Sequence, residues 1–260
     1  YFTFQWSFLA VGQDERTDPY RSKLWKEAYG NVLELGPGFS SSLKHLHHKT
    51  TKDSSYNVDP DVIHSYTALE PNPFMYGGLQ ENAEKNGFRV EYDHVSYPEC
   101  TISGTEDPHK ELVPFKIVRG TLDDSDNIPQ AILDGAPYDT VLTSFALCTA
   151  ANPEESIRNI MRLLKPGGSY IFVEHIRHPT PGDPLVVEDN GVDGQFWGKM
   201  QDWVNPIWNI FGHGCHITRK TGENIANMDG WKSVDHKMVR VNDALIAYFL
   251  PMSFGKAIKA

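Results

Sequence analysis

Between residues 30 and 174, short apolar runs that end in glycine, proline or an acid alternate with segments that carry helix signals. The runs that indicate strands are Gly30–Gly36, Tyr66–Glu70, Phe115–Val118, Tyr138–Ser144 and Ser169–Glu174. The segments that indicate helices are Phe39–His48, Phe74–Asn86, Ile128–Leu133 and Asn152–Leu164. Because strands that alternate with helices build βαβ units, the pattern predicts an α/β fold with a mostly parallel sheet.

The segments that interrupt or follow this alternation have a different composition. Phe88–Pro114 is polar, and we interpret it as an insertion that contains one short strand. Phe196–Phe211 is rich in tryptophan and indicates a helix interrupted at Pro206. Lys232–Arg240 and Ala244–Leu250 indicate a closing antiparallel pair of strands.

The length of 260 residues fits one α/β domain with insertions. Its parts are an N-terminal helical segment at 1–29, a core at 30–174 and a C-terminal region at 175–260. Tyr1–Gly12 is apolar but too short to cross a bilayer, and no basic residues precede it, so it is a poor signal peptide. We expect it to form a helix that packs on the domain; the alternative is the end of a membrane-proximal segment.

Charge and cysteine content exclude several classes of protein. The formal net charge of −10 argues against a nucleic-acid-binding protein, which needs a basic face to meet phosphate. The three cysteines (Cys100, Cys148 and Cys215) are far apart and form no C-x-x-C pair, so neither a disulfide scaffold nor a structural zinc site is expected. No apolar run is long enough for a membrane span. We therefore expect a cytoplasmic protein, with membrane association as the alternative.

The end of the first predicted strand carries the chain's main ligand-binding signal. Gly36 and Gly38 allow a sharp turn and a close approach of the backbone to a ligand. The second strand ends in Glu70, whose carboxylate could accept hydrogen bonds from both hydroxyls of a ribose. Position 41 is serine, so the G-x-G-x-x-G pattern of nicotinamide enzymes is incomplete, and no G-K-[ST] sequence of a P-loop follows.

Several motifs in order resemble those of class I S-adenosylmethionine-dependent methyltransferases. They are E-x-G-x-G at Glu34, the acid Glu70 and the turn L-L-K-P-G-G that begins at Leu163. The resemblance spans Gly30–Glu174 and implies a Rossmann-like fold with a seven-stranded, mostly parallel sheet, helices on both faces and an antiparallel strand near its end. It also implies that S-adenosylmethionine donates a methyl group and leaves as S-adenosylhomocysteine.

Three shorter motifs resemble a narrower branch of that family, which includes animal alkyl-thiol methyltransferases and fungal relatives. They are Leu147-Cys148, Glu174-His175 and the run from Gly214 to Arg219. The branch implies a small, fairly apolar acceptor, with a thiol or hydroxyl favoured and a role in secondary metabolism or detoxification. An enzyme that binds the cofactor but catalyses a cyclisation or rearrangement is the alternative. A non-catalytic binding module is a second rival.

The resemblance also assigns cofactor contacts. Glu34, Gly36 and Gly38 would hold the methionine portion, and Glu70 would hold the ribose. Asn72 could support the adenosine, and Ser144 and Phe145 would flank the sulfonium or the adenine. For the adenine amino group the candidates are Asp123 and Asp124, because Leu122 stands about where the family has an acid.

Candidates for the acceptor side follow from chemistry and position. His175 could serve as general base because imidazole titrates near neutral pH; the alternative is a histidine that hydrogen-bonds a loop carbonyl. Cys148 is expected to contact the acceptor rather than to act as a nucleophile, since Leu147 and Thr149 beside it indicate ordinary packing. Trp197, Asp202 and Trp203 would line an apolar acceptor pocket.

Histidine spacing indicates no metal site. His45 and His48 would share one face of a predicted helix, but the sequence offers them no third ligand.

Overall fold

The computed structural model describes residues 16–46, 62–92, 112–179, 193–240 and 248–260. Within these residues the strands are β1 (Gly30–Leu35), β2 (Ile63–Leu69), β3 (Phe88–Tyr92), β4 (Val113–Val118), β5 (Tyr138–Ser144), β6 (Leu164–His175), β7 (Trp231–Val239) and β8 (Met252–Lys259). The helices are α1 (16–24), α2 (Tyr76–Lys85), α3 (Gln130–Gly135), α4 (Pro153–Leu163), α5 (Gly194–Phe211) and α6 (Thr221–Ala226).

The strands form one sheet in the order β3-β4-β2-β1-β5-β6-β8-β7. The six strands from β1 to β6 pair in parallel, and β8 lies antiparallel between β6 and β7. β1 has β2 on one side and β5 on the other, so the strand order reverses at β1. Ligands of open α/β sheets bind beyond the carboxyl ends of the strands at such a point.

The sheet has eight strands among the described residues, where the sequence predicted seven in the sheet. The additional strand is β3, which opens the segment interpreted as an insertion and pairs in parallel with β4. The prediction of one short strand in that segment is confirmed. Residues 93–111 lie outside the described part of the chain.

Two predictions for the C-terminal region need correction. The final strand is Met252–Lys259 rather than Ala244–Leu250, whose described residues 248–250 form no strand. Glycine inside a segment weakens the prediction of a strand, so Gly255 argues against a strand there. The strand nevertheless needs this glycine, because a Cβ on it would lie 2.3 Å from the carbonyl oxygen of Asp235. α5 also continues through Pro206. Pro206 has no N–H to donate to the carbonyl of Asp202, four residues earlier in the helix. Both residues are exposed, so water can donate the missing hydrogen bond to that carbonyl.

Alternate side chains of β1 point into two hydrophobic clusters on opposite faces of the sheet. Val32 packs with Leu79 and other residues of α2, whereas Leu33 packs with Ile157 of α4. α4 begins as the sequence predicts, because the side chain of Asn152 accepts a hydrogen bond from the backbone N–H of Glu155. Helices therefore cover both faces, which leaves the carboxyl ends of the strands open to a ligand.

Residues 1–15, with the apolar segment Tyr1–Gly12, lie outside the described residues. The helix 16–24 and the turn Trp25–Glu27 occupy the rest of the predicted N-terminal helical segment. In the described part of the chain, every helix is too short or too polar to cross a bilayer.

Candidate functional site

The loop after β1 is built on left-handed backbone conformations. Gly36 has φ +57° and Gly38 has φ +58°, which side chains with a Cβ rarely adopt. The N–H of Gly36 donates to the carbonyl of Leu69 (2.9 Å), which attaches the loop to the end of β2. A Cβ on Gly36 would also lie 3.1 Å from the Cβ of Ala146. The glycines thus keep the backbone exposed to the space above the sheet.

Glu34 lies behind this loop, fully buried. Its Oε2 accepts hydrogen bonds from Ser40 Oγ (2.8 Å) and from Tyr66 OH (2.5 Å). Burial raises the pKa of the Glu34 carboxyl, although these two donors favour the ionised form. The carboxylate therefore fixes Ser40, which has φ +49°, and through it the shape of the glycine loop.

Glu70 joins the glycine loop to the segment after β2. Its Oε2 accepts from the backbone N–H of Gly38 (2.9 Å), and its Oε1 accepts from the N–H of Asn72 (2.8 Å). Burial raises the pKa of this carboxyl as well. Each carboxylate oxygen has a second lone pair, so both oxygens can accept a further hydrogen bond from a ligand.

A cavity of about 230 Å³ lies at the carboxyl ends of β1, β2, β4 and β5. Six of the predicted cofactor residues line it: Gly36, Gly38, Glu70, Asn72, Asp123 and Phe145. Apolar walls come from residues such as Met75, Leu122 and Leu147. Glu34 and Ser144 are not among its described lining residues; the Ser144 Oγ is buried and has no hydrogen-bond partner among the residues described.

The structure separates the two aspartates that the sequence left open. Asp123 lines the cavity, and its Oδ2 accepts from the backbone N–H of Ala151 (2.8 Å). Asp124 instead caps a turn, accepting from the N–H of Asp126 (3.0 Å) and from the side chain of Asn127 (2.6 Å). These donors hold the pKa of Asp124 below its usual value.

The turn after β5 is held by a buried acid. Glu174, at the end of β6, accepts hydrogen bonds from the backbone N–H groups of Ala146, Leu147 and Cys148 (3.1–3.2 Å). Burial raises the pKa of Glu174 to about 7, against the opposing effect of these bonds. Phe145, which begins the turn, has φ +58° and lines the cavity.

Phe145 stands between the cavity and His175. The two rings are stacked at a tilt, with centroids 4.4 Å apart. His175 is buried and is not among the described residues that line the cavity. Its Nδ1 lies 3.4 Å from the Sγ of Cys215 and 3.7 Å from the Sγ of Cys148. The role of His175, as a general base or as a histidine that hydrogen-bonds a loop carbonyl, stays a prediction.

The two thiols are free and buried, and they interact with each other. The hydrogen bond between them lowers the pKa of Cys215, which is also lowered by His175, and raises the pKa of Cys148. Cys148 and His175 were predicted site residues, but Cys215 was not assigned to the site, because its position beside them depends on how the segment after α5 folds back. His213, for which a surface or capping role was expected, lines the cavity.

The residues of α5 that were predicted to line an acceptor pocket are not among those that line the cavity described above. Trp197 packs against Tyr248 and Phe249, with ring centroids 4.6 and 5.4 Å apart. Asp202 forms an ion pair with Arg177, whose Nη2 is 2.7 Å from Oδ2. Trp203 is 74% exposed. Their part in acceptor binding stays a prediction.

Of the two histidines considered as metal ligands, the described one is engaged elsewhere. His45 Nε2 lies 2.8 Å from Asp18 Oδ1, which joins the turn after β1 to α1. His48 lies outside the described residues.

The cavity suits S-adenosylmethionine in three respects. The buried acid Glu70 has spare acceptor capacity for the two hydroxyls of a ribose. The glycine loop leaves its backbone open to a ligand. A side chain would fill this space, because even a Cβ on Gly36 would contact Ala146. Leu122 and Leu147 offer apolar surface to an aromatic base.

Comparisons with known proteins agree with the geometry. The model of a methyltransferase domain family matches residues 13–236. Over 165 residues the chain is 29% identical to rat thiol S-methyltransferase TMT1B, covering 61% of this chain and 56% of the relative. Over 200 residues it is 28% identical to human thiol S-methyltransferase TMT1A, covering 75% of this chain and 63% of the relative. The matches thus span little more than half of these relatives.

A solved structure shares the fold. A methyltransferase of Haloferax volcanii, determined in complex with the Trm112 methyltransferase activator, superimposes with a TM-score of 0.54 at 13% identity. The superposition covers 99% of this chain and 94% of the other. With the family match over residues 13–236 and the cavity at the strand ends, it follows that this chain belongs to the class I S-adenosylmethionine-dependent methyltransferases.

Proposed function

We propose that this chain transfers the methyl group of S-adenosylmethionine to a small, fairly apolar thiol. The observation that carries the proposal is the buried carboxylate of Glu70, which bridges the N–H groups of Gly38 and Asn72 at the edge of the cavity. A thiol is favoured because the relatives TMT1A and TMT1B are thiol S-methyltransferases by name. A hydroxyl acceptor is the second choice.

Cofactor binding is proposed to use the cavity from end to end. The carboxylate of Glu70 accepts hydrogen bonds from the ribose hydroxyls, and Asn72 lies beside the adenosine. Gly36 and Gly38 meet the methionine portion with their backbone, on a loop whose shape depends on Glu34. Asp123, positioned by the N–H of Ala151, accepts from the adenine amino group.

Phe145 and Ser144 are proposed to border the reacting centre, since Ser144 ends β5 and Phe145 follows it. The bound cofactor supplies a methyl group on a positively charged sulfonium. The protein's part is to align the acceptor and to exclude water, which together account for much of the rate in such a reaction. The aromatic face of Phe145 attracts the positive charge of the sulfonium through a cation–π interaction.

The acceptor is proposed to approach from the side of α5, where Trp197, Asp202 and Trp203 lie, and Cys148 borders its path. The base role of His175 stays a prediction, because Phe145 lies between its ring and the cavity. β7 and β8 complete the same sheet as β1, which supports one domain for residues 1–260. The free thiols of Cys148 and Cys215 favour a reducing compartment such as the cytoplasm.

The proposal is tested by calorimetric titration with S-adenosylmethionine and S-adenosylhomocysteine, followed by mass spectrometry of thiols, phenols and amines incubated with enzyme and donor. We expect both cofactor forms to bind in the micromolar range and a methyl thioether to form. Failure of both to bind to protein free of endogenous cofactor would contradict the proposal. Turnover of a substrate without release of S-adenosylhomocysteine would instead support a cyclisation or rearrangement.

A further inference from the structure

Three metal-ligating side chains converge behind Phe145, although they come from distant parts of the sequence. Cys148 follows β5, His175 ends β6 and Cys215 follows α5. All three are buried, and their ligand atoms (the two Sγ atoms and one histidine nitrogen) lie within 4.8 Å of one another. Spacing alone does not predict this cluster, because each residue stands in a different motif of the sequence.

The distances in the cluster fit a tetrahedral metal centre. With Zn–S bonds of about 2.3 Å and Zn–N bonds of about 2.0–2.1 Å, tetrahedral angles place sulfur and nitrogen about 3.6 Å apart. The observed distances from His175 Nδ1 to Cys215 Sγ and Cys148 Sγ are 3.4 and 3.7 Å. One cation could therefore contact all three atoms with little movement of the side chains.

The chemistry of the cluster selects a borderline or soft cation. Two thiolates and one imidazole are ligands that suit Zn²⁺ or Cu⁺ and not Mg²⁺ or Ca²⁺. The two thiolates would balance the charge of Zn²⁺, so the buried site would carry no net charge of its own. Part of the surroundings is apolar, because Ile217, Val204 and Phe249 pack around the two cysteines.

The ligands are also held in place by neighbours. The backbone N–H of Cys148 donates to Glu174 Oε2 (3.2 Å), and the backbone N–H of His216 donates to the carbonyl of Cys148 (2.8 Å). Arg219 lies near both sulfurs, and its Nη1 donates to the carbonyl of Leu147 (2.5 Å). Such outer contacts fix ligand geometry in metal sites.

We propose that Cys148, His175 and Cys215 bind one zinc ion on the side of Phe145 away from the cofactor cavity. Binding releases to solvent the protons that the two sulfurs still carry and uses the lone pair of His175 Nδ1, with the ring proton on Nε2. Three protein ligands are the number found at catalytic zinc sites, which keep a fourth position for water or substrate. The inference goes beyond methyl transfer and stands without it.

The first experiment measures metal in the reduced, folded chain. After dialysis and addition of Zn²⁺, elemental analysis is expected to give about one Zn²⁺ per chain. Replacement by Co²⁺ is expected to produce the absorption of thiolate-to-cobalt charge transfer, and added Zn²⁺ should remove it. Absence of that absorption from protein whose three cysteines are reduced and whose circular-dichroism spectrum is that of a folded chain would overturn the proposal.

Variants then locate the site. Cys148→Ser, Cys215→Ser and His175→Ala are each expected to weaken Zn²⁺ binding by more than the roughly 10–100-fold that loss of an outer contact costs. His236→Ala is the matched control, because His236 is a partly buried histidine outside the cluster, and its Nδ1 contacts Ser253. Equal Zn²⁺ affinity of the control and the three variants would overturn the assignment.

A measurement on the wild-type chain covers the case in which a variant fails to fold. Bound Zn²⁺ is expected to protect Cys148 and Cys215 from alkylation by iodoacetamide under conditions where chelation exposes them. Peptide mapping identifies the cysteines. Alkylation at the same rate with and without Zn²⁺ would contradict binding at these sulfurs, whether or not the chain methylates a thiol.

Discussion

The carboxylate of Glu70 accepts a hydrogen bond from the backbone N–H of Gly38, 2.9 Å away, and so links the end of β2 to the loop after β1. Two adjacent strands thereby share one buried charge at the point where the strand order reverses. The same carboxylate is proposed to bind the ribose, so it shapes the loop and contacts the ligand.

Replacement of Glu70 tests both roles. Glu70→Ala is expected to weaken binding of S-adenosylhomocysteine by about 1–3 kcal/mol, because buried hydroxyls and N–H groups lose their acceptor. Calorimetric titration measures the change. Asp134→Asn, on the exposed face of α3, is the control and should leave the affinity unchanged. An unaltered affinity in Glu70→Ala would remove Glu70 from the site.

Cofactor affinity should depend on pH through Glu70. Burial raises its pKa above the usual value of a glutamate, so on acidification it takes up a proton earlier than an exposed carboxyl would. The protonated form accepts fewer hydrogen bonds, and affinity for S-adenosylhomocysteine is expected to fall as pH drops through that raised pKa. Glu70→Gln should bind weakly at every pH and show a flatter profile. Parallel profiles for the two proteins would assign the dependence to another group.

Stability should respond to the same proton in the opposite sense. Between the ordinary and the raised pKa the folded chain holds this proton more tightly than the unfolded chain does, so rising pH costs stability. The free energy of unfolding of the wild type, relative to that of Glu70→Gln, is therefore expected to decrease as pH rises through this window. Urea denaturation of both proteins without cofactor measures it, and a difference that grows with pH would be the contrary result.

Gly36 and Gly77 offer a matched pair of glycine substitutions. Gly36→Ala puts a Cβ at φ +57° and 3.1 Å from Ala146, which is expected to cost about 1–2 kcal/mol and to weaken cofactor binding. Gly77→Ala, inside α2 with nothing within 4 Å of the added Cβ, is expected to stabilise the chain by about 0.5–1 kcal/mol. Thermal unfolding of both variants measures the effects; similar melting temperatures would contradict the assigned strain.

His175→Ala separates catalysis from cofactor binding. Because Phe145 lies between this ring and the cavity, we expect S-adenosylhomocysteine affinity to change little while thiol methylation slows markedly. His175 Nδ1 has one lone pair, so it cannot accept a proton and bind a metal at the same time. Activity that falls with chelation in the wild type would favour the metal, and full activity in His175→Ala would leave the histidine a structural role.

Local sequence was enough to predict that Gly36, Gly38 and Glu70 lie together. In a parallel sheet, the glycine turn after one strand and the acid that ends the next strand meet at the same edge. The α4 start at Asn152 is local in the same way. The contact between His175 and Cys215 could not be predicted, since it depends on the path of the chain after α5. The predicted position of β8 was wrong. The glycine at position 255 is required by the nearby backbone of β7, and the sequence does not show that contact.

The position of β8 constrains the order in which the chain can fold during synthesis. β6 is synthesised before β8, which pairs with the outer edge of β6, and β7 joins the sheet only through β8. At roughly 5–20 residues per second, the ribosome leaves that edge unpaired for seconds. An open edge is a template for pairing with other chains, so the nascent protein is most vulnerable to aggregation just before Met252–Lys259 emerges.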